Sequence, residues 1–263
     1  MLPRTRRVNG AVIHLNPDDP VVSGALTLGV YESEEIAFFE RIIEPDMVFV
    51  DVGANVGLYT ALGLKRMRAP GKIVCFEPDP ASASFLKRTI AANQVHGQSP
   101  EISFHPIALS DSQGELTLHR NPENKGDNRI YSDPLCTEAV RVESDTLDHV
   151  MEKEAVGEIN LIKIDVQGAE AKVVAGARGV LLKSADCVML TEFWPYGLAR
   201  SGSSPGGYLA ALRDLGLAIY ALDGDRLRPV ADHQALIESC PGRAYRNLVC
   251  VKGRFEKKLA VSP

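Results

Sequence analysis

"VFVDVGANVGLYT", Val48–Thr60, decides how the chain is read. β-favouring residues run into Asp51, Gly53 and Gly57 follow, and a helical pattern begins at once. A glycine-rich turn between a strand and a helix is a ligand turn in open α/β sheets. A dinucleotide turn would read G-x-G-x-x-G. Here the order is Asp51-x-Gly53-x-x-x-Gly57, and the pair Ala54-Asn55 stands where the middle glycine would let a backbone approach pyrophosphate.

Working outward, the next strand-like run, "GKIVCFE", ends on Glu77, twenty residues after Gly57. An acid at that point accepts hydrogen bonds from both hydroxyls of a ribose. NAD enzymes use the same device, so Glu77 does not discriminate alone. Asp51 does: a carboxylate is ill placed beside a doubly anionic pyrophosphate and well placed near a cationic group. S-adenosylmethionine has no phosphate. It carries an ammonium, a sulfonium, and a carboxylate able to take helix N-terminal amides. The pair Asp51 and Glu77 therefore predicts this ligand. The alternative is a tight turn in which Asp51 only caps the helix.

The rest of the chain alternates in the same way, which predicts a mostly parallel sheet with helices on both faces. Strands are expected at 47–52, 71–77, 101–109, 159–166, 186–193, 217–222 and 247–252, and helices at 57–67, 78–93, 168–183 and 205–216. Asp79 and Pro80 read as N-cap and first helical residue. Residues 1–46 read as an N-terminal extension, a lid or an oligomer contact, with Ile36, Phe39 and Ile43 on one face of a helix at 33–43. Residues 47–263 read as the main domain. It carries a β-rich insert at about 110–158, with strands at 114–120 and 138–144, a helix at 146–153, and a long polar loop at 121–134. A loop of that length is usually functional or disordered.

Composition narrows the class. The chain has 263 residues, 45% hydrophobic and 24% charged, enough to bury a core. A net charge of −5 argues against a nucleic-acid partner. Five cysteines show neither C-x-x-C nor zinc spacing, which points to a reducing compartment. No apolar run approaches the length of a membrane span, and the N-terminus lacks the core of a secretory signal. The expectation is a cytoplasmic protein with no membrane or nucleic-acid partner, in which pairing of two copies stays open.

Several stretches together resemble a family: "YESEEIAFFERIIEPDMVFVDVGANVGLYT", "VCFEPDP", "IALSDSQGELTL", "INLIKIDVQGAEAKVVAGA", "LTEFWP" and "YRNLVCVK". In this order and spacing the chain resembles the FkbM-type methyltransferases, over roughly residues 31–252. The resemblance implies a Rossmann-like class I methyltransferase fold, α/β with a seven-stranded mostly parallel sheet whose last strand is antiparallel. It implies S-adenosyl-L-methionine as donor, S-adenosyl-L-homocysteine as product, and a small-molecule acceptor, typically a hydroxyl on a sugar, polyketide or other natural product. It also implies donor contacts from Asp51, Gly53, Asn55, Gly57, Glu77 and Pro78, and places the turn of Ala108 and Leu109 near the adenine. The family commonly has glutamate where this chain has Gln167, so Gln167 is given no role.

Methyl transfer to a hydroxyl needs alignment and a general base. Polar residues at the carboxyl ends of strands are the candidates. Asp165 ends "LIKID" and reads as base, as a donor or acceptor contact, or as a metal ligand, with a helix cap as the plain alternative. Lys163 shares its strand face and is expected to pair with it. Glu170 reads as favouring the helix dipole or reaching into the site. Glu192 ends "LTEF" as a second base candidate. Trp194 beside it reads as a wall of the acceptor pocket or as packing. Two carboxylates are thin ground for a metal, so a divalent ion is not expected. In the insert loop, Asn128 and Arg129 are the expected acceptor contacts. Three other functions stay open beside O-methylation. These are N-methylation of a small molecule, donor binding without catalysis, and NAD-dependent oxidoreduction, the last disfavoured by Asp51.

Overall fold

The computed structural model describes residues 3–260, which divide into two units. The outermost residues of both expected ranges, 1–2 and 261–263, lie outside the described residues.

The first unit holds the chain through Ala108 together with Glu115–Glu143. It opens with a hairpin of β1 (Thr5–Val8) and β2 (Ala11–His14), turned by Asn9 and Gly10, both left-handed. Helices α1 (Val22–Leu28) and α2 (Ser33–Ile42) follow. Two strand–helix repeats and a third strand follow: β3 (Val48–Val52), α3 (Leu58–Arg66), β4 (Lys72–Phe76), α4 (Pro80–Asn93) and β5 (Glu101–His105). The three strands pair in parallel in the order β3-β4-β5, with Asp51 level with Cys75 and Phe76 level with His105. β3 is apolar because it is covered on both faces: Phe49 and Val50 are fully buried, and Phe39 of α2 stands edge-on to both Phe49 and Tyr59. Each such ring contributes about 2–3 kcal/mol by leaving water.

β2 is fastened to α4. The Val12 N–H donates to Asn93 Oδ1 at 2.9 Å, Asn93 Nδ2 returns a bond to the Val12 carbonyl at 2.7 Å, and the His14 N–H donates to Thr89 Oγ1 at 3.0 Å. These bonds occupy the backbone of a strand whose Ala11 and Ile13 are fully buried.

The strand expected at 101–109 is interrupted by Pro106, which has no N–H for a ladder. Its last residues form β6 (Ala108–Leu109), which joins β7 (Gly114–Arg120) and β8 (Glu138–Asp145) in a separate sheet of order β6-β8-β7. Ala108, Leu118 and Val142 form its core.

The second unit holds Leu109–Gly114 and the chain from Ser144 onward. Its elements are α5 (Leu147–Lys153), β9 (Leu161–Ile164), α6 (Glu170–Gly176), α7 (Arg178–Lys183), β10 (Cys187–Phe193), α8 (Pro195–Arg200), α9 (Pro205–Asp214), β11 (Ala218–Asp223), β12 (Arg226–Pro229), α10 (His233–Glu238), β13 (Arg246–Lys252) and α11 (Arg254–Ala260). The strand order is β12-β11-β13-β10-β9. β9 and β10 are parallel, and the later pairings are antiparallel. The helix expected at 168–183 breaks at Ala177, beside Gly176, whose backbone runs against the Ser110 carbonyl.

The architecture is thus mixed α/β, mostly parallel in its central sheet and antiparallel in its later strands, as the sequence led one to expect. The strand count differs. Three strands in the first unit and five in the second replace the expected seven among the described residues. The addition is β12, a short and largely exposed edge strand whose hairpin turns at Gly224. No helix among the described residues is long and apolar enough to cross a membrane.

Candidate functional site

In the first unit the glycine turn joins β3 to α3. Gly53, Asn55 and Gly57 all have left-handed backbone, with φ of 79°, 50° and 90°. Gly57 is required twice over. A side chain there would be strained, and its Cβ would lie 2.6 Å from Leu86 Cδ1. The N–H groups of the turn point inward. Those of Gly53 and Ala54 both donate to the Phe76 carbonyl, at 3.0 and 2.9 Å, and that of Gly57 donates to the Ala54 carbonyl at 2.8 Å. The Asn55 N–H donates to Glu77 Oε2 at 2.8 Å. A phosphate-binding turn holds such groups free for the anion.

Asp51 is buried beneath the turn, where Thr60 Oγ1 donates to its Oδ2 at 2.6 Å. Glu77 is 7% exposed at the end of β4. Its second oxygen, Oε1, accepts the Asp79 N–H at 2.8 Å. Burial pushes the Glu77 carboxyl up to about 8, although both N–H donors favour its charged form. Pro78 sits half-exposed between Glu77 and Asp79. Asp79 caps α4 by accepting from the Ser82 N–H, and Arg120 of β7 lies 2.9 Å from its Oδ1. The insert therefore braces the segment that carries Glu77. Asn55 Oδ1 is buried with no hydrogen-bond partner. The donor set of Asp51, Asn55 and Glu77 is rich in acceptors, and the three N–H donors of the turn named first are engaged internally. It fits a cationic, ribose-bearing ligand better than a phosphate.

The insert loop is ordered from within. Arg129 is 2% exposed, and its guanidinium binds Asp127 through Nε and Nη2 at 2.8 and 2.7 Å and Asp133 through Nη1 at 2.6 Å. Its backbone bridges to His119. Asn128 Oδ1 accepts the Asn121 N–H at 3.1 Å. Arg129, expected as an acceptor contact if the loop folds over the site, is the buried cation about which the loop folds.

In the second unit the carboxyl ends of β9 and β10 carry the other candidates. Asp165 is half-buried. Lys163 Nζ donates to its Oδ2 at 3.0 Å and Gln167 Nε2 to its Oδ1 at 2.9 Å. Burial pushes this carboxyl up, but Lys163 and the two donated bonds outweigh it and hold the group below its ordinary value. Gln167 Nε2 also lies 3.5 Å from Glu192 Oε2, at the outer limit of a hydrogen bond. The two base candidates are thus brought together by a residue the sequence reading left without a role.

Glu170 neither meets the helix dipole alone nor lies open. It is fully buried, and its Oε1 accepts the N–H groups of Val166 and Gly168 at 3.2 and 3.1 Å. Burial raises it to about 7. No sequence spacing advertises this role, because the partners are backbone groups of a loop.

Leu109 is buried at the edge of this unit. Trp194, expected to wall an acceptor pocket, is 6% exposed, donates Nε1–H to the Arg243 carbonyl at 3.1 Å, and packs over Gly197. Among the described residues, no cluster of three or more His, Cys, Asp and Glu could hold a metal ion.

The family model "Methyltransferase FkbM domain" matches residues 51–216. The chain is 29% identical over 150 residues to Methyltransferase 1 of Beauveria bassiana, covering 50% of this chain and 58% of the relative. It is 28% identical over 158 residues to 2-O-methyltransferase NoeI of Sinorhizobium fredii, covering 54% and 61%. It is 25% identical over 159 residues to 31-O-demethyl-FK506 methyltransferase FkbM of Streptomyces tacrolimicus, covering 51% and 60%. These alignments span about three-fifths of each relative's length. A solved structure of Methyltransferase FkbM from Methylobacillus flagellatus KT is a loose likeness, with 14% identity, a TM-score of 0.46, and coverage of 87% of this chain and 54% of that one. With the family model matched from the glycine turn to the end of the second unit's last long helix, the chain belongs to the FkbM family of methyltransferases.

Proposed function

We propose that the chain is an O-methyltransferase that moves the methyl group of S-adenosylmethionine to a hydroxyl of a small acceptor, a sugar or another natural product. Membership of the family implies this donor. The observation that carries the reading is the glycine turn, whose engaged N–H groups and buried Asp51 favour a ribose-bearing cation over a dinucleotide. The names of relatives, two of them O-methyltransferases and a third a hexuronic acid methyltransferase, support a hydroxylated acceptor.

The bound donor supplies an already activated methyl group. Glu77 accepts the ribose hydroxyls, and its own N–H bonds keep the carboxylate aimed. Asp51 contributes negative charge beneath the turn. Gly53, Asn55, Gly57 and Pro78 shape the cradle, and Ala108 and Leu109 border the adenine. Asp165 and Glu192 are the groups that receive the acceptor proton. Asp165 is held ionised by Lys163 and Gln167, which suits an orienting role, so Glu192 is the better base. Asn128 is retained as an acceptor contact.

Calorimetric titration with S-adenosylmethionine, S-adenosylhomocysteine and NAD tests the donor. Micromolar binding of the first two, lost in Glu77→Ala and Asp51→Ala, is expected. Binding of NAD instead would sink the proposal. With an acceptor in hand, Glu192→Gln should abolish turnover of a hydroxyl. Full activity in that variant would point to a neutral amine, which needs less help from a base.

A further inference from the structure

We propose that Gln167 is a positioning residue, whose side-chain amide stands between the Asp165 and Glu192 carboxylates and holds them as a pair in the place a divalent metal ion would take. Its role in a reaction rests on the methyltransferase reading, whereas the geometry does not. Two carboxylates facing one another repel and need a proton, a cation or a neutral donor between them. Gln167 Nε2 is one such donor, at 2.9 Å from Asp165 Oδ1 and 3.5 Å from Glu192 Oε2. The amide orientation follows from charge: turned round, its oxygen would face two anions.

The backbone is built to aim this side chain. Gln167 has φ of 52°, rare for a residue with a Cβ, and Gly168 follows at 102°. Gly168 lies so close to Gly197 that an added Cβ would sit 2.6 Å from its backbone. The buried Glu170 clamps the N–H groups on both sides of Gln167, and Ser201 Oγ donates to the Gly168 carbonyl at 2.6 Å. A left-handed residue held by three side-chain bonds on its neighbours is over-determined, as strained positions at functional sites are. Lys163 completes the arrangement on the far oxygen of Asp165. The amide thus fills the place where a third carboxylate would call for a metal.

The test uses the full chain. Side-chain amide signals of Gln167, assigned by their loss in Gln167→Met, are followed by nitrogen-15 NMR in Asp165→Asn and in Glu192→Gln. Each variant should move one of the two amide protons. In parallel, Mn2+ binding is measured for the wild type and Gln167→Glu. The wild type should bind none at millimolar metal, and the added carboxylate should tighten binding by about tenfold or more. Amide signals unmoved by either variant would overturn the proposal. So would Mn2+ binding by the wild type as tight as by Gln167→Glu, or no gain in the latter. Titration of the same samples with S-adenosylmethionine separates the two readings. Absent donor binding would refute the methyltransferase proposal and leave the amide result standing.

Discussion

Protonation of Glu77 should weaken donor binding. This carboxyl is nearly buried, burial raises it to about 8, and its two oxygens already accept the N–H groups of Asn55 and Asp79. Only the ionised form has lone pairs left for both ribose hydroxyls. If the ligand binds that form alone, affinity falls about tenfold between about pH 9 and about pH 7. Glu77→Gln places an amide NH2 against one of the two N–H donors and loses one acceptor. The loss of a bond to a charged group, about 1.5–3 kcal/mol, weakens binding about 10- to 100-fold and removes the pH slope. The assay is calorimetry with methylthioadenosine, which keeps the ribose and lacks the titrating α-amino group of the full donor. Stability should run the other way. A folded-state value above the unfolded one of 4.5 means that the contribution is fully present below about pH 4.5 and is lost as pH rises through about 8. Affinity that stays flat with pH in the wild type, or is unchanged in Glu77→Gln, would refute the reasoning.

Four further outcomes are expected. Arg129→Met removes the guanidinium that lies 2.6 Å from the buried Asp133 and should destabilise the chain by about 3–5 kcal/mol in denaturant melts. Adding Asp133→Leu should recover most of the loss, and no recovery would show that Arg129 acts elsewhere. Gly57→Ala should cost about 2–4 kcal/mol, from its φ of 90° and the approach to Leu86, and a loss below about 0.5 kcal/mol would contradict the packing. Glu170 is raised from 4.5 to about 7, so its contribution to stability is present at low pH and lost as pH rises through about 7; Glu170→Gln should flatten the melting temperature across that window. Trp194→Phe should lower stability by about 1 kcal/mol through the lost bond to Arg243 and leave donor affinity unchanged, whereas an acceptor-specific rise in KM would restore Trp194 to the pocket.

Much of the fold was legible because it is written in local pattern. The β3–turn–α3 stretch announces itself by glycine spacing, and the cap at Asp79 and Pro80 lies where the residue types place it. The hairpin at Asn9-Gly10 carried a strong two-residue turn signal that the reading of 1–46 as an appendage passed over. The strand broken at Pro106 and the helix broken at Ala177 were harder, because apolar periodicity continues across both. In the first break a missing N–H decides, and in the second the approach of distant backbone does.

The sequence by itself determined the class of ligand turn, the acids at strand ends and the alternation of elements, since each depends on residue type and spacing within one element. Only the tertiary structure decided which polar groups are engaged. Arg129 and Trp194 were chosen for their chemistry and prove to be committed to Asp127, Asp133 and Arg243. Gln167 and Glu170 were passed over or left undecided; Gln167 reaches both Asp165 and Glu192, and Glu170 holds the N–H groups on either side of Gln167. The physical reason is that a polar side chain's role is set by the partners left to it once water is removed, and those partners come from parts of the chain that no local pattern connects.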